Sequence, residues 1–234
     1  MSSEIATVNV PNHLGFIVDG NRRWAKHNGK SVAEAHRQGY ETLKTIALAA
    51  IDHGVSYVSA YVFSTENWQR DTKEIDDITT ILSWALKNEV KGFHKKNIRL
   101  RVAGSRSRFA PSIIKSIDAA EELTKNNTGG TVMLCLDYGG QQEIVDAVKA
   151  IVSSGVSAEN VTTDMISEHI YAPDVPPVDL IIRTSGEKRL SNFMTWRSIY
   201  SELMFSDKFW PDFSVQDLLA AFEDYAVRAR RFGK

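Results

Sequence analysis

Short apolar runs of strand length alternate along this chain with segments of helical spacing, and that alternation leaves few folds open. Residues 14–18, 55–63, 98–102, 131–138, 178–183 and 203–205 read as six strands, several of them apolar without a break. Such runs belong to sheets covered on both faces. Between them, residues 33–53 repeat apolar positions at Tyr40, Leu43, Ile46, Ala47 and Ala50. Asp71 with Glu74 resembles a capping box opening one long helix through Ile75, Ile78, Leu82, Leu86, Val90 and Phe93. Further helices are predicted over 111–124, 142–152 and 163–171, and Ser214 caps a last one carrying Leu218, Leu219, Phe222 and Tyr225. Strand followed by helix throughout means right-handed crossovers. The fold class is therefore α/β: a single domain with a mainly parallel six-stranded sheet flanked by helices. No repeat or linker divides residues 1–234, and 1–12 are expected to be flexible.

With 43% hydrophobic residues in 234, the chain can fill a substantial core. Its 28 Lys+Arg against 29 Asp+Glu disfavour a nucleic-acid partner, which would call for a basic excess. The single cysteine, Cys135, sits inside an apolar run and suits a reducing cytoplasm. The longest apolar stretch, 46–51, falls far short of the ~20 residues a membrane span needs, and no secretory signal opens the chain.

In parallel sheets ligands bind beyond the carboxyl ends of the strands. The residues there are Asp19-Gly20-Asn21-Arg22-Arg23, Phe63-Ser64-Thr65-Glu66-Asn67-Trp68, Tyr138-Gly139-Gly140 and the segment from Arg183 to Asn192. Glycine-rich nucleotide loops, His-Glu-x-x-His, paired Cys-x-x-Cys and Gly-x-Ser-x-Gly are all absent. What remains suits a hard cation and phosphate. Asp19 beside Gly20 reads either as a turn or as a carboxylate for Mg²⁺. The segment 183–192 holds three cations and three hydroxyl residues in ten positions, a solvated loop or a grip for a diphosphate. His36 alone reads as an ordinary helix histidine. Phe63, Trp68, Trp84, Phe93 and Trp196 read as core packing or as the wall of an apolar channel. Arg228, Arg230 and Arg231 read as a solvated helix end.

Three stretches together carry a resemblance. His13-Leu14-Gly15-Phe16-Ile17-Val18-Asp19-Gly20-Asn21-Arg22-Arg23-Trp24-Ala25, then Phe63-Ser64-Thr65-Glu66-Asn67-Trp68-x-Arg70, then the segment from Asp179 to Phe193 with Trp196, Tyr200, Glu202 and Trp210-Pro211-Asp212-Phe213, are similar to the motifs of the cis-prenyltransferases, the undecaprenyl diphosphate synthase family. The resemblance implies Mg²⁺-dependent condensation of isopentenyl diphosphate with an allylic diphosphate such as farnesyl diphosphate, giving a cis-polyprenyl diphosphate of undecaprenyl type. It further implies a cytoplasmic homodimer with peripheral membrane contact at product release. By carry-over, Asp19 would hold the metal, with Glu202 assisting across the dimer interface. Gly20, Asn21, Arg22, Arg23, Trp24 and His36 would surround the allylic diphosphate. Arg183, Arg189 and Ser191 would bind the isopentenyl diphosphate. Ser64, Thr65, Glu66, Asn67 and Arg70 would lie between the substrates, Asn67 near the proton that is lost, with Phe63 and Trp68 at the channel mouth. A non-catalytic relative would lack the metal aspartate and phosphate arginines, which stand here as Asp19, Arg23, Arg183 and Arg189.

Some positions depart from that pattern. Asp71 replaces a common proline, Asp137 a common asparagine and Ser185 a frequent glycine. Gly130 stands where bulky residues often close the tunnel floor, which implies a roomy end and a longer product.

Overall fold

The computed structural model describes residues 9–228. Its six strands are β1 (His13–Ile17), β2 (Tyr57–Ser64), β3 (Arg99–Ala103), β4 (Thr131–Tyr138), β5 (Leu180–Arg183) and β6 (Glu202–Phe205), all parallel in the order β3-β4-β2-β1-β5-β6. Every predicted strand is present within two residues of its expected bounds. Of the stretch expected to be flexible, residues 1–8 lie outside the described ones, whereas the Asn12 carbonyl accepts hydrogen bonds from the Ser56 and Tyr57 amides.

One face of the sheet packs Leu14, Phe16, Val58, Leu180 and Ile182 against α2 (Val32–Asp52), α3 (Thr72–Asn88), α5 (Pro111–Thr124) and α8 (Val215–Val227). On the other face Ile17, Tyr61, Met133, Cys135 and Ile181 meet Phe193 and Met194 from the β5–β6 connection. Beside it α6 (Gly140–Ser153) and α7 (Thr163–His169) share a smaller cluster. Cys135 is fully buried, and burial raises its thiol pKa well above the usual range, so it is inert.

Two helical readings need correction. The single long helix over Ile75–Phe93 is broken at Glu89, giving α3 and a short α4 (Val90–Lys95). Leu86, Val90 and Phe93 keep helical spacing across the break, so periodicity alone does not show it. Nor do Asp71 and Glu74 form a capping box. Asp71 caps α3 by accepting from the Lys73 amide, while the Glu74 side chain turns inward to His36 and Arg70.

Near its carboxyl end β2 slips register against β4: Tyr61 pairs with Cys135, Phe63 with Leu136 and Ser64 with Tyr138. One residue is therefore extra on each strand, Val62 on β2 and Asp137 on β4, and the two slips cancel. Asp137 adopts φ +48°, the left-handed conformation that a bulge residue takes and that Asp tolerates.

Candidate active site

Asp19 follows β1 and Arg183 ends β5, the strand beside it, so neighbouring strands deliver both to one rim. The Arg183 Nη2 donates to Asp19 Oδ2 at 2.9 Å, and Arg23 Nη2 lies 3.3 Å from Asp19 Oδ1. Arg183 is buried, and its Nη1 holds the following loop by donating to the Arg189 carbonyl at 2.5 Å and to Ser191 Oγ at 2.7 Å. Arg23, on α1 (Asn21–His27), reaches the same loop through the Ser185 carbonyl at 3.1 Å. The Asp19 carbonyl is fixed in turn by the Thr184 hydroxyl at 2.7 Å and the Trp210 amide at 3.0 Å. Gly20 sits between Asp19 and α1 at φ +107°, where a β-carbon would also collide with Phe209, so only glycine allows this entry into the helix.

A second group of cations lies at the same rim around Glu74. This buried carboxylate takes Arg70 Nη1 at 2.8 Å and His36 Nε2 at 3.2 Å, with Arg22 Nε at 3.8 Å. Burial pushes His36 below the ordinary histidine range despite the pull of Glu74, so its ring is neutral near pH 7. Arg22 and Arg189 are mostly exposed, Arg189 pairing with Glu187 at 2.5 Å. Sequence reasoning missed Glu74 as a site residue because it was read as a cap. The available signal was Arg70 four residues earlier, a pairing distance on a helix.

Between these groups runs the 3₁₀ segment Thr65–Gln69. The Asn67 side chain accepts from the Ser64 amide at 3.1 Å, which fixes both residues at the strand end. Glu66 is exposed and accepts from Asn192 Nδ2 at 3.2 Å. Trp68 donates to Asp137 at 2.9 Å and stacks edge-on against Phe63.

Below the rim is an apolar cavity of about 120 Å³ between the sheet, α2 and α3, reaching Val18, Asn21 and His36 at its upper end. Ile78, Leu82 and Leu86 of α3 form one wall together with Phe93, as expected of that helical stretch. Lys44 and Glu89 also line it and pair at 2.5 Å.

Several expectations shift. Phe63 and Trp68 do not line this cavity; they pack with Phe109 beside it. Trp24 directs its indole N–H to Asp212 at 2.7 Å. Gly130 lies outside the cavity as well, in a polar cleft at the opposite end of the strands with Arg99 and Asp174. It is at φ +141° with the Ile51 side chain against the place of a β-carbon, so the glycine answers a backbone need and gives no sign of a roomy tunnel. Glu202 begins β6, three residues before the position aligned with Arg183, or about 10 Å away along the strand. It pairs with Arg228 at 3.0 Å, and Arg228 thereby proves to be tied down; Arg230 and Arg231 lie outside the described residues. Within one chain Glu202 is not brought to Asp19.

Residues 17–233 match the model of the Prenyltransf family, undecaprenyl diphosphate synthase. The chain belongs to the undecaprenyl diphosphate synthase family of prenyltransferases. It is 42% identical over 228 residues to isoprenyl transferase 2 of Corynebacterium efficiens, covering 96% of this chain and 94% of that one. It is 39% identical over 236 residues to the farnesyl-diphosphate-specific ditrans,polycis-undecaprenyl-diphosphate synthase of Vibrio vulnificus, covering 99% and 94%. Among solved structures, lavandulyl diphosphate synthase from Lavandula x intermedia, in complex with dimethylallyl diphosphate, superposes with a TM-score of 0.92 at 33% identity, covering 96% of this chain and 99% of that one. Within this family, then, two polar clusters at one rim over an apolar cavity are the features to be explained. Among the described residues no helix is long and apolar enough to cross a membrane.

Proposed function

We propose that the protein is a Mg²⁺-dependent cis-prenyltransferase that condenses isopentenyl diphosphate with an allylic diphosphate, farnesyl diphosphate, to give an undecaprenyl-type cis-polyprenyl diphosphate. The observation that carries this reading is the meeting of Asp19 with Arg183 at 2.9 Å, next to an apolar cavity that reaches Val18 and Asn21 on either side of Asp19 in the chain. Two charged headgroups and a growing hydrocarbon need that combination of rim and slot. Burial of the tail contributes about 0.8 kcal/mol per CH₂.

The donor set at Asp19 fits Mg²⁺. Its carboxylate is partly exposed at the rim, and a small hard cation takes one or two carboxylates and completes its shell with phosphate oxygens and water. When bound, Mg²⁺ offsets the negative charge that develops on the departing diphosphate.

The chain's own residues do the rest. Arg22, Arg23 and the amides around Gly20 and Asn21 hold the allylic diphosphate at a helix start, with His36 alongside. Arg183, Arg189 and Ser191 hold the isopentenyl diphosphate. In the reaction the allylic C–O bond breaks, a C–C bond forms to the isopentenyl carbon, and one proton is lost beside Ser64 and Asn67. Positive charge at the allylic carbon needs no enzyme nucleophile, and the arginines stabilise the leaving group in a partly desolvated site.

A homodimer is part of the proposal. Ile199 and Tyr200 are 76% and 59% exposed beside the edge strand β6, an apolar surface suited to a second copy. Such a copy would carry its own Glu202 toward the neighbouring site. The enzyme would act in the cytoplasm and touch the membrane at product release.

Purified protein with Mg²⁺, labelled isopentenyl diphosphate and farnesyl or geranyl diphosphate should yield labelled polyprenyl products resolved by chromatography. Asp19→Ala should cut turnover by at least about a hundredfold, as removal of one charge-stabilising group does elsewhere. Absence of label in the lipid fraction with any allylic primer overturns the reading.

A further inference from the structure

The loop bearing Arg189 and Ser191 and the segment bearing Ser64 and Asn67 are distant in sequence, and Asn192 joins them. Its Oδ1 accepts from the Gln141 amide at 2.8 Å, and its Nδ2 donates to Glu66 Oε1 at 3.2 Å. Its carbonyl accepts from the Gly140 amide at 2.7 Å. One residue of the β5–β6 connection therefore holds both the 3₁₀ segment after β2 and the start of α6 after β4. The backbone there follows an unfavourable path: Ser191, Asn192 and Met194 have φ of 49°, 65° and 47°. Each such residue is strained unless its surroundings over-determine it. Arg183 supplies one anchor through Ser191 Oγ at 2.7 Å. Asn192 supplies the other, and asparagine tolerates the left-handed region better than most residues.

We infer that Asn192 is a positioning residue that ties the loop carrying Arg189 and Ser191 to the segment carrying Asn67, so that the grip on the isopentenyl diphosphate and the place where its proton is lost sit at one fixed spacing. This rests on the proposed prenyl transfer. A donor–acceptor exchange tests it. Asn192→Asp keeps the shape, the backbone tolerance and the acceptor toward Gln141, but sets a carboxylate against Glu66. Adding Glu66→Gln restores a donor opposite it and reverses the bond.

Asn192→Asp is expected to raise the KM for isopentenyl diphosphate about tenfold, the size of coupling usual for contacting polar pairs. The kcat should change far less. Amide exchange over residues 64–70 should quicken while the Tm stays close to that of the parent. In the double variant both KM and protection should return to those of Glu66→Gln alone. A double variant no better than Asn192→Asp in KM and in protection overturns the inference. If the parent protein makes no polyprenyl product, the functional reading falls, and the exchange measurement still decides the coupling: restored protection supports it and unrestored protection overturns it.

Discussion

Replacing Asp137 separates a charge from a hydrogen bond in one buried place. Its carboxylate is fully buried and accepts from Trp68 Nε1 at 2.9 Å, from Arg108 Nε at 3.0 Å and from Arg108 Nη2. Arg108 also lies over the Trp68 ring, 5.3 Å from its centre. In Asp137→Ala the indole N–H loses its acceptor, which costs about 1–3 kcal/mol for a buried donor. Alanine at φ +48° costs about 1 kcal/mol more. Arg108 is 43% exposed and regains water, so its share is small. The sum is about 3 kcal/mol. Asp137→Asn keeps an acceptor and a residue type that tolerates the backbone, so it should cost only about 1–2 kcal/mol, the margin between charge-assisted and neutral bonds. Equilibrium urea unfolding, with unchanged m-values, measures both. An alanine variant within 1 kcal/mol of the parent, or an asparagine variant as damaged as the alanine one, would refute the reasoning.

Other consequences are as direct. Ser185 holds φ +80° with a buried hydroxyl that has no hydrogen-bond partner among the described residues, so Ser185→Gly should stabilise by about 1 kcal/mol and raise the Tm by a few degrees in thermal unfolding. His13 is buried, with Nδ1 2.7 Å from the Pro176 carbonyl and Nε2 2.6 Å from Ser59 Oγ, and desolvation lowers its pKa from 6.5 to about 4. Between those pH values the unfolded chain binds a proton that the folded one refuses. Stability should fall by about 3 kcal/mol on acidification through that window, and His13→Gln should flatten the slope in unfolding series at pH 7 to 4. Arg197 and Glu143 pair at 2.7 Å with neither appreciably exposed, so Glu143→Leu alone should cost about 3–5 kcal/mol by stranding the guanidinium. The double variant with Arg197→Met should recover much of that loss in the same assay; no recovery would show that the pair is not the source of the cost.

Much of the architecture was legible because the strands are apolar on both faces, and a two-sided sheet admits one kind of connection. Asp19 and Arg183 were legible for the same reason, since each directly follows or ends such a run. The break at Glu89 was not, because the apolar spacing continues through it and the pairing of Glu89 with Lys44 is a tertiary event. Glu74 misled because Asp-x-x-Glu is also a capping pattern, and only the folded chain brings His36 within reach of it. Gly130 misled in the opposite direction. An absent side chain suggests space, but here it reports a backbone angle. Asn192 carries no charge and so gave no sign of acting, although its three bonds reach two parts of the rim.

The cancelling slips at Val62 and Asp137 have a consequence for how this rim can change over evolution. Each extra residue takes a side chain out of the alternating pattern at the tip of its strand, one to line the cavity and one to seize Trp68, while pairing resumes beyond them undisturbed. Substitutions at the two tips can therefore be sampled one at a time. A single-residue deletion in either tip cannot, because it would turn Ser64 or Tyr138 to the wrong side of the sheet unless the neighbouring strand lost a residue as well. Side chains at this edge can change singly, at a stability cost where they are held as Asp137 is by Trp68 and Arg108, whereas its length is inherited as a pair.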